Sequence, residues 1–279
     1  MLKNGIKRLK IENNTHYSIK KSYTTLYKYN TENSNKETEA LFGECFLVKK
    51  VVNDWVFGKL INDSYTGWLK SNSLEKILNP THKVIVPSTN IYQKPEDKSL
   101  AILNLPFNSY VKVILLQNDW MKIKYNCHPS KYGFVPSHHL CNIKNTFQNW
   151  IKFSSYFKNT PYKWGGKTIS GIDCSGLVQI LLQQYLDTYP RNTSQQIKIG
   201  NEILNFTKNN DLHYVLSDYL KYVKTGDLIF WKGHVAIALN NKKIIHASSN
   251  NMITCIENFK DVYERLIKKK LFNISIKRL

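Results

Sequence analysis

No run of residues in this chain is long and apolar enough to cross a bilayer as a helix. The basic N-terminal stretch "MLKNGIKRLKIENN" also lacks the continuous apolar segment of an export signal. A soluble, cytoplasmic protein is the expectation. Cysteine is sparse: Cys45, Cys127, Cys141, Cys174 and Cys255 are odd in number and widely spaced in 279 residues. A disulfide framework is not expected, and a reducing compartment is. No C-x-x-C pair occurs, and the loose group Cys127, His128, His138, His139 and Cys141 matches no familiar zinc spacing. Neither a metal nor an organic cofactor is expected. Acidic residues are outnumbered, 20 against 40 basic ones, for a formal charge of +20. The lysines are scattered, however, and short runs such as "VKK" and "IKKKLF" read as solvated faces. Specific nucleic-acid binding is not expected, and a monomer is.

What the chain does have is apolar mass, 42% hydrophobic and 13% aromatic residues, enough for real cores. Its length suggests two or three domains. Self-comparison divides it. "FLVKKVVNDWVFGKLINDSYTGWLKSNSLEKI" (46–77) aligns with "YVKVILLQNDWMKIKYNCHPSKYGFVPSHHLCNI" (110–143). Each has an alternating strand, then Asn-Asp-Trp, then a second strand. A tyrosine and glycine leading into an aromatic follow: Tyr65, Gly67 and Trp68 in one, Tyr132, Gly133 and Phe134 in the other. Short strands with turn signals between them predict a small β-barrel built twice. The pattern resembles tandem bacterial SH3-like (SH3b) domains, over 16–78 and 79–145, after an N-terminal arm at 1–15.

From residue 146 the texture changes. "TFQNWIKFSSYFKN" has apolar residues at helical spacing, "PYKWGGKTISG" is a glycine-rich loop, and 175–186 read as a helix. "GDLIFW", "HVAIALN" and "KKIIHASS" read as consecutive antiparallel strands. Helices and strands in separate blocks predict an α+β domain over 146–279.

Cys174 in "GIDCSGLVQ" stands where that helix should begin, with Asp173 available as its N-cap. The positive end of a helix favours thiolate, and an adjacent imidazole would favour it further. Such a thiol is a candidate nucleophile, and the helix's first N–H groups could stabilise an oxyanion. His234 starts one strand and His246 lies on the next, so antiparallel pairing would bring the imidazoles together. His234 would act as base and His246 would orient it.

"PYKWGG…GIDCSGLVQ…PRNTSQQ…GDLIFWKGHVAIAL…IIHASS" resembles the NlpC/P60 cysteine peptidases, which have a papain-like fold. With two SH3b domains ahead, the chain resembles their γ-D-glutamyl-L-diamino acid endopeptidases, which act on murein peptides. The resemblance implies Cys174 as nucleophile, His234 as base and His246 as third polar residue. It also implies that Tyr162, Asp173 and Ser175 line the substrate site. In that subgroup the first SH3b domain reads a free N-terminal L-alanine, and Tyr65 and Glu44 are the candidates for that role. The subgroup commonly has an aspartate where this chain has Asn192, so the substrate's ammonium would need Asp173 or Glu44 instead. The implied activity is hydrolysis of γ-D-glutamyl–diamino acid bonds in short murein peptides, in wall recycling. Two alternatives stay open: an acyltransferase or amidase on the same fold, and a wall-binding protein with little hydrolase activity.

Overall fold

The computed structural model describes residues 9–127, 129–205, 220–271 and 273–279, and the chain divides into two compact units at 144/145. The first is all sheet. Strands β1 (Thr15–Ile19), β2 (Tyr23–Tyr27), β3 (Lys36–Leu41), β4 (Cys45–Val52), β5 (Trp55–Leu60), β6 (Thr66–Lys70) and β7 (Leu74–Lys76) form one antiparallel sheet. Their spatial order is β3-β2-β6-β5-β4-β1-β7. Strands β8 (His82–Val84), β9 (Ser88–Tyr92), β10 (Ala101–Pro106), β11 (Tyr110–Gln117), β12 (Trp120–Cys127), β13 (Ser130–Pro136) and β14 (Leu140–Asn142) form another, ordered β10-β9-β13-β12-β11-β8-β14. The two orders are the same with the numbering advanced by seven.

The likeness extends to side chains. Val52 pairs with Trp55 and Gln117 with Trp120, leaving two-residue turns begun by Asn53 and Asn118. Both asparagines are left-handed, at φ 54° and 50°, a conformation their short polar side chains tolerate. Each tryptophan then meets a tyrosine edge-on, Trp55 with Tyr27 and Trp120 with Tyr92, both at 5.5 Å between centroids. Leu26, Phe46, Val56 and Leu69 fill the first core, and Ile91, Leu105, Ile123 and Val135 the second.

The second unit opens with a 3-10 helix, Trp150–Phe157. The helical spacing is real, because Trp150, Phe153 and Phe157 are buried together, but the winding is the tighter i→i+3 kind. A two-stranded hairpin, β15 (Lys167–Thr168) with β16 (Gly171–Ile172), leads into α1 (Cys174–Leu182). The short helix α2 (Thr193–Gln196) follows. Strands β17 (Asn201–Asn205), β18 (Leu228–Trp231), β19 (His234–Ala238), β20 (Lys243–Ser248), β21 (Ile253–Asn258) and β22 (Ser275–Arg278) make one antiparallel sheet, ordered β17-β22-β18-β19-β20-β21. Helix α3 (Phe259–Lys268) precedes β22.

Both faces of this sheet are covered. Ala236, Ala238 and Ile244 pack with Phe259, Val262 and Leu266 of α3. The alternate residues Val235, Ile237, Ile245 and Ala247 are equally buried, and α1 lies against β19 and β20. Arg278 clamps the last strand in place, donating from Nε and Nη2 to the buried Asp227 at 2.7 Å each.

Candidate active site

Helix α1 begins as its sequence suggests. Asp173 is extended (φ −101°, ψ 174°), and its Oδ1 accepts the Gly176 N–H at 2.7 Å. That bond satisfies one of the donors a helix leaves unpaired at its start. Cys174 is thereby fixed as the first helical residue. Gly176 must be small, since a Cβ there would collide with the Gly166 carbonyl oxygen. The cap is itself clamped. Arg191, fully buried, donates from Nη1 to Asp173 Oδ1 at 2.9 Å and from Nη2 to Oδ2 at 2.6 Å. It also reaches the Ser175 hydroxyl at 2.7 Å.

Opposite stands the β18–β19 hairpin. Trp231 pairs with His234 across a two-residue turn, Lys232-Gly233, in which Gly233 takes φ +71°. The Trp231 indole stacks on the His234 imidazole, centroids 4.4 Å apart and 25° between planes. The backbone N–H of Val235, the residue after His234, lies close enough to the Cys174 sulfur to favour its charged form. The nucleophile candidate and the hairpin that carries the base candidate are therefore in contact.

From His234 a chain of hydrogen bonds runs along the sheet. His234 Nε2 meets His246 Nδ1 at 2.8 Å, and His246 Nε2 meets Glu257 Oε2 at 2.7 Å. Arg265 on α3 then holds Glu257 with two bonds, 2.9 Å to Oε1 and 3.0 Å to Oε2. These contacts determine where the ring protons lie. Burial works against the Glu257 charge, but the Arg265 and His246 bonds hold its carboxyl down at about 2. Ionised, it can only accept. His246 must then carry its proton on Nε2, leaving Nδ1 to accept from His234 Nε2–H. The lone pair of His234 is left on Nδ1, the nitrogen His246 does not use. One carboxylate thus sets two tautomers and leaves the second ring nitrogen of His234 without a proton.

The resting charge state differs from the thiolate expected at a helix start. Burial pushes the Cys174 thiol up to about 12, with the Asp173 charge adding to it, against the Val235 N–H, Arg191 and the Ser175 N–H. Burial, then the neighbouring His246, pushes His234 down to about 3. Cys174 is 5% and His234 8% exposed, so desolvation outweighs the helix dipole. Thiol and imidazole both rest neutral.

The remaining expected residues fall as follows. Tyr162 is near enough to Cys174 and Asp173 that their charges, after burial, help raise its hydroxyl to about 12. With Trp164, which is 68% exposed, it lines a cleft of about 430 Å³ that also holds Trp231, His234 and His246. A second cleft, of about 440 Å³, lies by Thr193, Ile197, Trp231 and His234. Asn192, exposed, caps α2 beside it without a side-chain cap bond. Ser175 is buried between Arg191 and Asp173. Asp173 offers no free carboxylate for an ammonium, since both oxygens are taken by Arg191, Gly165, Gly176 and Ser175. In the first unit, the buried Glu44 closes its own turn by accepting the Leu41 N–H at 2.7 Å. Tyr65 donates its hydroxyl to Glu37 at 2.8 Å.

No motif in the sequence singles out Glu257 or Arg265. The available signal is the alternation in "ITCIEN", which puts Cys255 and Glu257 on one face of β21, with His246 opposite Cys255 and diagonal to Glu257. Cys127, His138, His139 and Cys141 do not converge as metal ligands among the described residues, and His128 lies outside them. His139 instead bonds the Thr89 hydroxyl at 2.8 Å. No helix among the described residues is long and apolar enough to cross a membrane.

Comparison with known proteins accords with this geometry. Residues 159–275 match the NlpC/P60 family, and residues 26–74 match the bacterial dipeptidyl-peptidase Sh3 domain. The γ-D-glutamyl-L-lysine dipeptidyl-peptidase of Bacillus subtilis is 25% identical over 254 residues, spanning 82% of this chain and 78% of that one. The probable endopeptidase NlpC of Escherichia coli is 34% identical over 113 residues, 40% of this chain and 63% of that one. The crystal structure of an NlpC/P60 family protein from Bacillus cereus superposes with a TM-score of 0.74 at 18% identity, covering 95% of this chain and 99% of the other. The chain carries a cysteine-peptidase domain of the NlpC/P60 family, with a bacterial SH3 domain ahead of it.

Proposed function

We propose that the protein hydrolyses the γ-D-glutamyl–diamino acid bond of short murein peptides, with Cys174, His234 and His246 as its catalytic residues. The observation that carries this reading is the hydrogen-bonded line from His234 through His246 to Glu257, beginning beside the Cys174 sulfur. In the proposed reaction Cys174 Sγ attacks the γ-carbonyl carbon while its proton passes to His234 Nδ1. The tetrahedral intermediate collapses, and His234 returns the proton to the departing amine. Water, deprotonated by His234, then opens the thioester and frees the dipeptide. The neutral resting pair suits such a transfer, because burial of both groups disfavours separating their charges before the substrate arrives. The relatives' names supply the bond type, and the dipeptidyl-peptidase match at 26–74 accords with it.

The two sheets of equal strand order support reading 16–78 and 79–145 as two SH3b barrels, with 146–279 as a papain-like catalytic domain. Tyr162 and Ser175 would border the γ-glutamyl position, and Asn192 the neighbouring cleft. Tyr65, paired with Glu37, would read a free amine, a role from which Glu44 is closed off by its burial in its own turn. The proposed setting is wall recycling in the cytoplasm, where a nucleophilic thiol stays reduced.

The test is mass spectrometry of L-Ala-γ-D-Glu-L-Lys and its diaminopimelate counterpart, each with a free and an acetylated amine. Release of the diamino acid by wild type and not by Cys174→Ala is expected, from the free-amine peptides alone. Hydrolysis retained in Cys174→Ala refutes the mechanism. Equal cleavage of acetylated peptide removes the amine reader and the recycling role.

A further inference from the structure

Among the described residues, one group of three side chains brings metal-ligating atoms together: His246, Cys255 and Glu257, all within 4.8 Å of one another. Glu257 Oε2 is 2.7 Å from His246 Nε2 and 3.7 Å from Cys255 Sγ. Tetrahedral zinc, with bonds of about 2.0–2.3 Å, holds its ligand atoms roughly 3.3–3.6 Å apart. The three atoms therefore need only small displacements to surround such an ion. Cys255 and Glu257 are half-buried rather than sealed, which leaves an approach and a fourth position for water. A thiolate, an imidazole and a carboxylate are a donor set that selects zinc over magnesium or calcium.

Two neighbours bear on the site. Asn251 Nδ2 donates to the Cys255 sulfur at 3.4 Å, which suits a thiolate. Arg265 opposes a cation, yet it bonds both oxygens of Glu257 and can keep Oε1 while Oε2 turns to the metal. An ion held against that charge is reversible, not structural.

We propose that His246, Cys255 and Glu257 form an inhibitory zinc site, distinct from Cys174, that switches the peptidase off by reversing its histidine tautomers. The regulatory half rests on the proposed function. Zinc takes the lone pair at His246 Nε2, so the His246 proton moves to Nδ1 and donates to His234 Nε2. The His234 proton must then sit on Nδ1, the nitrogen that would receive the proton of Cys174. The balance closes: each ring keeps one proton, the Cys255 thiol releases one to solvent, and no electron is transferred. The ion blocks catalysis from the far side of His246, without touching the Cys174 nucleophile.

The test uses the full-length protein, with cobalt(II) as a spectroscopic stand-in for zinc. Wild type and Cys174→Ala should both develop a thiolate-to-cobalt charge-transfer band at one equivalent, and zinc should abolish it. Cys255→Ser should not develop the band. Zinc inhibition of peptide cleavage, scaled to each protein's own zinc-free rate, should weaken at least about tenfold in Cys255→Ser. A band that vanishes in Cys174→Ala, or that survives in Cys255→Ser, overturns the site. Equal zinc sensitivity of wild type and Cys255→Ser overturns the switch. Wild type inactive before any metal is added overturns the proposed function instead, and the absorbance arm then decides the site alone.

Discussion

Glu257 touches neither the thiol nor any substrate cleft, yet its removal should slow the reaction by one to two orders of magnitude. Its carboxylate, clamped by Arg265, accepts from His246 and so fixes the proton positions of both rings. It also lies two hydrogen bonds from the positive charge that would grow on His234 in the proposed transition state. A hydrogen bond to a charged group contributes about 1.5–3 kcal/mol. At about 1.4 kcal/mol per decade, Glu257→Ala should lower kcat roughly 10- to 100-fold. Substrate binding is made elsewhere, so KM should move little. Glu257→Gln keeps an acceptor but loses the charge, and its loss should be about tenfold or less. Steady-state kinetics on L-Ala-γ-D-Glu-L-Lys would measure both variants. Long-range nitrogen–proton NMR would report the His234 tautomer, which a purely architectural role for Glu257 would not alter. A folded Glu257→Ala protein with kcat within about twofold of wild type would refute the relay.

Two further outcomes follow from burial. His234 falls from an unfolded value of 6.5 to about 3, so the unfolded chain takes up a proton below pH 6.5 that the folded chain refuses. Stability is full above that pH and is lost progressively toward pH 3, by about 2 kcal/mol between pH 7 and pH 5 from this residue; urea unfolding at the two pH values, with His234→Asn as control, measures it. A pH-independent midpoint would contradict a desolvated neutral imidazole. With the Cys174 thiol raised to about 12, iodoacetamide should modify Cys174 in the free enzyme no faster than a simple thiol at pH 7. Mass mapping of the alkylated cysteine settles it, and rapid modification at pH 6 would instead reveal a resting ion pair.

Much of this site is legible in the sequence. The Asp173 cap and the start of α1 at Cys174 are local, decided by a short side chain and the helix's own unpaired donors. The approach of His234 to His246 follows from two strands and a short connection. What stays hidden depends on distant parts of the chain. Glu257 joins the line through the β20–β21 register, and Arg265 through the packing of α3, neither of which a motif records. A helix end alone points to a thiolate, whereas burial by the whole domain decides the thiol's charge state. Asp173 likewise reads as a free acid until Arg191, 18 residues on, takes both its oxygens. The 3-10 winding of 150–157 shows the same limit, since spacing tells which residues face inward but not how tightly the turn is wound.

The hairpin that carries His234 bears on how such an enzyme can change. With only Lys232 and Gly233 between paired Trp231 and His234, there is no slack. Inserting one residue would shift the alternation by one and turn the imidazole to the other face of the sheet. Because both clefts share this hairpin as a wall, neither can be reshaped there without moving the proposed base, His234. New substrate preference has to come from walls that carry no catalytic group: the loop bearing Tyr162 and Trp164, or the turn of helix at Thr193–Ile197. Descendants of this chain should diverge in length at those two places and keep the hairpin's length fixed.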